Sequence, residues 1–485
     1  MEWKLDRTSK EPLFRQIARS FEKRIQSGEL PPGAPLPPER KLAEELGVNR
    51  STITAAYEEL RASGLTQSVQ GSGTCVSDHL WGVSPRRLPN WHQYTNGGSF
   101  LPTLPLSKRI REASADPRVI NLARGQLSSD LFPEEALSDL LKSTPLTASL
   151  SYPDPKGDEI FRHTLSAHLQ KHYGIEAAPE EILVVSGAQQ ALHLLTQCIL
   201  SPGDAVAIEG PSYAYSLPLF ISAGLRLFRI PLDEQGLLPD EVMSLYQKHK
   251  IRMVFANPTY QNPTGTTLSL ARRKRLLQIC EELRIPIVED DAYGSLTLHG
   301  SQAPPPALMK LNQGGGSVIY LGSLSKTAAP GLRIGWVAGP RSVIERLADA
   351  KQQMDFGTSI VVQRLVESYL SSGQWERHLQ RIRKELTIRR DVMLQALDQY
   401  VGDQVKWNMP EGSYHIWCRL RNAIPDREVL ETGIQNRVLF LPGEIYGAER
   451  GYIRLTYAGV SESEIEEGIT RFERTLQTVK NSAQI

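Results

Sequence analysis

The chain has 485 residues, too many for one ordinary hydrophobic core, so two or three domains are expected. A formal charge of +1 excludes a bulk polyanion binder and an acidic solvating protein, and 40% hydrophobic residues is ordinary for a soluble globular chain. Four cysteines, Cys75, Cys198, Cys280 and Cys418, show no CxxC spacing. That argues against a disulfide framework or a zinc site and for a reducing compartment, so no metal is expected. The charged start, Met1 to Arg7, has no apolar signal core. No apolar run approaches the roughly 20 residues that cross a bilayer, so the expectation is a cytoplasmic protein without a membrane segment.

Leu13, Ile17, Phe21 and Ile25 recur at helical spacing up to Gly28. A proline-rich turn over residues 31–38 follows, then a short helix from Glu39 to Leu46, with Leu42, Ala43 and Leu46 inward. Gly47 turns the chain, and Asn49 is placed to cap a third helix from Arg50 to about Ser63. Leu65 to Val76 reads as two short strands around Gly71-Ser72-Gly73. Helix, helix, tight turn, helix and hairpin is a winged helix-turn-helix layout. In such a motif the start of the third helix presents short polar or basic residues to base edges, here Asn49, Arg50, Ser51, Thr52 and Thr54.

Pro38-Glu39-Arg40-Lys41-Leu42-Ala43, Leu46-Gly47-Val48-Asn49-Arg50-Ser51-Thr52, Tyr57-Glu58-Glu59-Leu60 and Gly71-Ser72-Gly73-Thr74-Cys75-Val76 resemble the DNA-binding domain of GntR-type bacterial regulators. The resemblance implies a domain over residues 1–77 that binds double-stranded promoter DNA. It places Arg40, Arg50, Ser51, Thr52, Thr54 and the wing from Gly71 to Gly73 against that DNA.

From Asp78 to about Ser114 periodicity is lost among Pro85, Pro89, Pro102 and Pro105, so residues 78–115 are expected as an interdomain linker, with Trp81 and Trp91 packed on a neighbouring surface. The large region starts near residue 116. A helix is expected from Glu134, another from Asp158 to Tyr173, a strand Ile182–Val185, and a helix from Ala191 after Ser186-Gly187-Ala188-Gln189-Gln190. Strands are expected at 205–208, 225–231, 253–255 and 286–289, and the first, third and fourth run into polar clusters: Tyr213, Asn262, and Asp290 with Tyr293. Strands alternating with helices imply a mostly parallel sheet whose ligands sit beyond the C-terminal strand ends.

The next strand, Val318-Ile319-Tyr320-Leu321, leads to Ser323-Leu324-Ser325-Lys326 and on to Pro330-Gly331-Leu332-Arg333. An amine that bonds a carbonyl must be neutral and oriented, and a phosphate beside it needs hydroxyl donors and a fixed cation. Residues 348–400 are expected to be helical, with Arg377, Arg381, Arg383, Arg389 and Arg390 forming a solvated face. Short strands around 405–407, 415–419, 439–441 and 452–455 and a helix from Glu462 to Val479 close the chain as a smaller α+β part.

The stretch around Lys326 resembles the pyridoxal phosphate (PLP) lysine motif of fold type I aminotransferases, and the resemblance extends over roughly residues 118–476. It implies that Lys326 is the catalytic lysine carrying the cofactor. Asp290 would hold the pyridine nitrogen protonated, Tyr293 and Asn262 would reach the phenolic oxygen, and Tyr213 would stack on the ring. Gly187, Ala188, Gln189, Ser323, Ser325 and Arg333 would bind the phosphate, and Arg454 would hold a substrate or effector carboxylate. It also implies a large part over about 155–347 and a small part from 116–154 and 348–485. Tyr152 matches a tyrosine that reaches the neighbouring subunit's PLP phosphate.

A GntR-type winged helix joined to a fold type I aminotransferase-like domain resembles the MocR family. That family implies a homodimeric, head-to-tail transcriptional regulator sensing PLP or a small amino compound. The stretch Tyr213-Ala214-Tyr215 lacks the arginine that some ω-amino-acid sensors of the family carry after the stacking aromatic, which speaks against γ-aminobutyrate. Asn262 and Arg454 keep the look of a working transaminase, so an active aminotransferase with an accessory DNA-binding domain stands as the alternative.

Overall fold

The computed structural model describes residues 5–7, 9, 11–69, 73–78, 98, 100–143, 151–421 and 425–482. The chain divides into two compact units, Met1–Pro102 and Thr103–Ile485. Among the described residues no helix is long and apolar enough to cross a membrane.

The first unit holds α1 (Leu13–Gln26), α2 (Glu39–Leu46), α3 (Arg50–Ala62) and a hairpin of β1 (Thr66–Val69) with β2 (Gly73–Val76). The apolar stripe of α1, Ile17, Phe21 and Ile25, is buried with Ile53, Tyr57 and Leu60 of α3. The Phe21 and Tyr57 rings meet edge to face at 5.7 Å, and the Tyr57 hydroxyl donates to the Pro37 carbonyl at 2.7 Å. Gly47 ends α2 in the left-handed region (φ 61°), which frees the chain to start α3 three residues later. The proline-rich turn is tied to the hairpin, since Leu36 N–H donates to Thr74 O at 2.8 Å and Val76 N–H to Ala34 O at 2.9 Å. The expected side-chain cap by Asn49 is absent. The Asn49 carbonyl receives the Thr52 N–H at 2.9 Å, and its amide is left exposed at the start of α3.

The second unit opens with a correction. The end of the stretch expected as linker is a helix, Pro105–Ser114. Proline is tolerated in a first helical turn, where its missing N–H has no partner to lose. Leu106, Ile110 and Ala113 then follow at helical spacing and pack on the core. Trp81 and Trp91 lie outside the described residues.

β3 (Ile120–Asn121) comes next, then the strands of the central sheet. These are β4 (Ile182–Val185), β5 (Ala205–Gly210), β6 (Arg226–Asp233), β7 (Gly236–Leu237), β8 (Met253–Ala256), β9 (Ile287–Asp290), β10 (Val318–Ser323) and β11 (Gly335–Ala338). Their order is β4-β11-β10-β9-β8-β5-β6-β7. The pairs β10–β9, β9–β8, β8–β5 and β5–β6 are parallel, while β11 runs antiparallel to β10 and β4. Helices cover both faces. Val206 and Ile208 point into one apolar layer with Leu192, Phe255 and Leu347, while Ala205 and Ala207 point into the other with Val242, Leu276 and Ile279. The helix expected from Ala191 starts at Ala188, because Gly187 takes an extended positive-φ conformation (φ 82°, ψ 163°), open mainly to glycine, that lets the chain leave β4 and enter the helix at once.

The smaller part carries β12 (Val405–Trp407), β13 (His415–Leu420), β14 (Val438–Leu439), β15 (Leu441–Pro442) and β16 (Tyr452–Thr456), with helices Ile360–Ser371, Gln374–Val401 and Glu462–Ser482. β12, β13, β16 and β15 form one antiparallel sheet, and β14 pairs with β3. The arginine-rich stretch is a solvated face only in part: Arg377 and Arg381 are exposed, whereas Arg383 and Arg390 are half-buried. Arg389 is buried and donates to Asp130 Oδ2 at 2.6 Å, Ser128 Oγ at 2.7 Å and the Ala458 carbonyl at 3.2 Å. Arg383 donates to the Ser295 carbonyl at 2.8 Å. A helix of 28 residues lies against several loops at once, and its long cationic side chains serve their carbonyls.

Behind the C-terminal end of β9, Glu289 and Arg273 are both fully buried, 3.9 Å apart. Glu289 accepts the N–H groups of Leu308 and Met309 at 2.8 Å each. Arg273 donates to the carbonyls of Leu268, Pro258 and Pro306 and to Thr259 Oγ1 at 2.8–3.1 Å. Burial pushes the glutamate up to about 7 and the arginine down, so these hydrogen bonds rather than the ion pair alone hold the arrangement. Arg273→Ala strips four acceptors at once and is expected to lower stability by about 3 kcal/mol or more, read as the shift of the urea midpoint. A midpoint equal to that of the unmodified chain contradicts this role.

Candidate functional site

Beyond the C-terminal ends of β4, β5, β8, β9 and β10 lies one cavity of about 500 Å³. Gly187, Ala188, Gln189, Tyr213, Asn262, Asp290, Tyr293, Ser323, Ser325, Lys326, Arg333 and Arg454 all line it. These residues span more than half the chain, and the parallel sheet is what brings them together. Tyr152 is not among them; it is 82% exposed and its ring rests 5.4 Å from that of Phe356.

Lys326 donates from Nζ to the Gly125 carbonyl at 2.7 Å, a carbonyl that also accepts the Tyr414 hydroxyl at 2.9 Å. Burial, and then the Arg454 guanidinium, push the lysine down to about 8, with Asp290 opposing. An amine in that range is substantially neutral at mildly alkaline pH, as covalent chemistry requires. Asp290 moves the other way. Burial and the adjacent Asp291 push it up to about 6, against the pull of Lys326. Its Oδ1 is enclosed and has no hydrogen-bond partner.

Arg454 is 3% exposed and donates to Asn262 Oδ1 at 3.1 Å and to the Ala123 carbonyl at 2.7 Å, leaving its Nε without a partner. Asn262 reaches the Tyr293 hydroxyl from Nδ2 at 3.5 Å. On the other side Ser325 N–H donates to Ser323 Oγ at 3.1 Å, and the two hydroxyls are 3.1 Å apart. Arg333, in the left-handed region (φ 51°), donates to the Ser186 carbonyl at 2.7 Å. A Cβ on Gly187 would sit 2.8 Å from the Arg333 guanidinium, so glycine there keeps arginine and helix start together. The first N–H groups of helix Ala188–Cys198 have no acceptor within the helix and face an anion favourably.

These features fit PLP. An enclosed carboxylate oxygen without a partner suits a protonated ring nitrogen, the partly exposed Tyr213 ring offers a flat surface, and a helix start with two hydroxyls and an arginine suits a phosphate.

Other residues were not singled out in the sequence. Glu209 accepts the Asn257 N–H at 2.9 Å and the Gln261 amide at 3.2 Å. Asn257 in turn donates to the Asp290 carbonyl at 2.5 Å and accepts the Asn262 N–H at 2.9 Å. The Asn262 carbonyl accepts the Tyr213 N–H at 2.8 Å, so one buried network sets three site loops in register. The asparagine and glutamine of Asn257-Pro258-Thr259-Tyr260-Gln261-Asn262 were the available signal. Ser107 and Ile110 also line the cavity, from the helix that had been expected as linker.

In the first unit Arg40 and Arg50 are exposed at 87% and 72% of their side chains, and Asn49 and Ser51 are exposed beside Arg50. Thr52 and Thr54 are half-buried. Glu39 holds this edge, since its Oε2 accepts from Arg50 Nε and from Thr54 Oγ1 at 3.1 Å each. Gly73 is exposed with φ 82°, while Gly71 lies outside the described residues.

Residues 117–472 match the model of the aminotransferase class I and II family, and residues 13–76 match that of the bacterial regulatory proteins of the gntR family. The chain is 37% identical to the HTH-type transcriptional regulator YdfD of Bacillus subtilis (strain 168), covering 94% of this chain and 95% of that one. It is also 37% identical to the regulator YisV of the same organism, over 99% of both. Among solved structures, the Pyrococcus horikoshii kynurenine aminotransferase in complex with PMP superposes with a TM-score of 0.73 at 34% identity, covering 78% of this chain and 95% of that one.

The site makes a prediction for the chain free of cofactor. Asp290 holds its proton up to about pH 6 when folded, against an ordinary value of 3.8. Between those values the folded state binds more protons than the unfolded one, so stability falls as pH rises and the full cost is present above 6. Asp290→Asn removes that cost. Allowing for partial exposure, it is expected to stabilise the chain by about 1–2 kcal/mol at pH 8, with the advantage fading toward pH 4, read by urea unfolding at both. A variant less stable at pH 8, or an advantage independent of pH, contradicts the assignment.

Proposed function

Since the chain belongs to the aminotransferase class I and II family and carries a gntR-family domain, the domain pair of MocR-type transcriptional regulators, we propose that it controls transcription by sensing PLP or an amino compound. The observation that carries this reading is the completeness of both halves. The exposed polar start of α3 is intact, and the second unit brings Lys326, Asp290, Asn262, Arg333 and Arg454 to one cavity. The two Bacillus regulators match over 94% and 99% of this chain, whereas the solved aminotransferase covers 78% of it.

In the second unit each residue then has a physical task. PLP, when bound, supplies an electron sink and a carbon able to bond an amine. Lys326 is the amine that attaches it, tuned by burial and by Arg454 toward its neutral form. Asp290 keeps the ring nitrogen protonated. Ser323, Ser325, Arg333 and the N–H groups after Gly187 hold the phosphate, and Tyr213 covers the ring. Tyr293 and Asn262 donate to the phenolic oxygen. Arg454 forks an effector carboxylate, for which its unpartnered Nε is available. In the first unit Arg50, released from Glu39, reads a base edge with Asn49, Ser51, Thr52 and Thr54, while Arg40 and the wing at Gly73 meet phosphates.

The working unit is a head-to-tail homodimer in the cytoplasm, in which the exposed Tyr152 reaches the neighbouring copy's phosphate site. One observation keeps the enzyme reading alive: Lys326, Asp290 and Arg454 would serve turnover as well as sensing.

Borohydride reduction tests the cofactor assignment, and promoter binding tests the regulator reading. The unmodified protein is expected to retain covalent PLP after reduction. Lys326→Ala is expected to retain none, and the PLP-loaded unmodified protein is expected to bind promoter DNA. Equal PLP retention by both proteins, or no promoter binding by the unmodified protein at low salt, contradicts the proposal.

A further inference from the structure

The cavity is chemically one-sided. Of the acidic and basic side chains lining it, Asp290, Lys326 and Arg333 have tasks toward the cofactor and Arg454 toward a carboxylate. The remaining one, Glu209, is engaged by the Asn257 N–H and the Gln261 amide, and burial pushes it up to about 8, so it carries little charge at neutral pH.

Apart from Asn262, which holds Arg454, the residues beside it on β15 and on the turn Gly443–Tyr446 that line the cavity are largely apolar. Leu441 stands directly opposite Arg454 in the β15–β16 ladder, so the two side chains project from the same face. The Arg454 guanidinium lies 5.3 Å from the centre of the Tyr446 ring. Ile445 precedes that tyrosine and also lines the cavity. The turn Gly443–Tyr446 is fixed to the Tyr213 loop, as Ser212 N–H donates to the Tyr446 carbonyl at 3.0 Å. Ile110, on helix Pro105–Ser114, lines the same cavity, with Ser107 one turn before it.

We infer that the effector is an α-amino acid with an uncharged, apolar side chain, received by Ile110, Leu441, Ile445 and Tyr446. The inference rests on the proposed role of Arg454 as carboxylate anchor. With the carboxylate on Arg454 and the amine turned toward Lys326, the side chain goes to this wall. An apolar group there gains by leaving water. An ammonium or a second carboxylate would give up its hydration and find no partner. An ω-amino acid, with no side chain at its α-carbon, leaves the wall uncovered.

The test is a titration of the full-length, PLP-loaded protein with L-leucine, L-phenylalanine, L-glutamate and L-lysine, following the absorbance of the bound cofactor. Leucine or phenylalanine is expected to half-saturate at a concentration roughly 100-fold below glutamate and lysine. Ile110→Lys is expected to strengthen the glutamate response at least about tenfold. Ser107→Lys, at a half-exposed polar position on the same helix face, serves as the second variant if the first does not fold. Tighter glutamate or lysine binding in the unmodified protein overturns the side-chain assignment, as does a glutamate response unchanged in both folded variants. In either case the role of Arg454 stands if Arg454→Ala loses the response. A spectrum that none of the four amino acids moves overturns this inference and leaves PLP itself as the sensed compound.

Discussion

A carboxylate oxygen without a protein partner, Asp290 Oδ1, sits enclosed at the end of β9. Such a group is costly, and the fold is arranged so that it cannot escape by relaxing. The Asp290 carbonyl is held by Asn257, the preceding Glu289 is locked behind the strand with Arg273, and the following Asp291 accepts from the Tyr320 hydroxyl at 2.9 Å and the Gly294 N–H at 2.9 Å. The chain therefore stores an unsatisfied charge at one defined point. A ligand with a protonated ring nitrogen recovers that energy on binding, which is how stability given up in the free chain becomes affinity.

The rest of the site follows from the same constraint. Asp290 ends one parallel strand, and its neighbours β8 and β10 deliver Asn262 and Lys326 beside it. The Glu209–Asn257–Gln261 network fixes those loops by hydrogen bonds among buried groups, where each bond lost would leave a polar atom dry. Arg454 arrives from the smaller part on β16, opposite Trp417 of β13 and Leu441 of β15. A carboxylate bound there joins the two parts of the second unit. The helix Pro105–Ser114, which supplies Ser107 and Ile110, is also the element with which that unit begins. Whatever touches this wall touches the chain where it enters the second unit.

Much of this was legible in the sequence. The apolar runs at 182–185, 253–255 and 318–321 are strands because they are short, continuous and bounded by turn residues, and the polar clusters after them are the cavity. The three helices of the first unit followed from Ile17, Phe21 and Ile25, from Leu42, Ala43 and Leu46, and from Ile53 and Tyr57 at helical spacing. What was not legible depends on tertiary placement. Helix Pro105–Ser114 was hidden because prolines at 102 and 105 punctuate a stretch whose apolar positions gain meaning only against the core. Arg389 reads like any surface arginine until Asp130, Ser128 and the Ala458 carbonyl are brought to it from opposite ends of the chain. The Asn49 side chain could have capped α3 and does not, because capping propensity does not settle which partner an exposed amide takes.

The account comes down to coupling between an amino-compound site and DNA. Coupling exists only if the effector binds the DNA-competent and incompetent states unequally. The most direct measurement is the dissociation constant of the full-length, PLP-loaded protein for the DNA upstream of its own gene, with and without a saturating amino acid that perturbs the bound cofactor. The account predicts a change of about fivefold or more, absent in Arg454→Ala, whose affinity without effector matches that of the unmodified protein. An affinity indifferent to every such amino acid, together with multiple-turnover transamination at roughly 1 per second or faster, would contradict it and identify an enzyme instead.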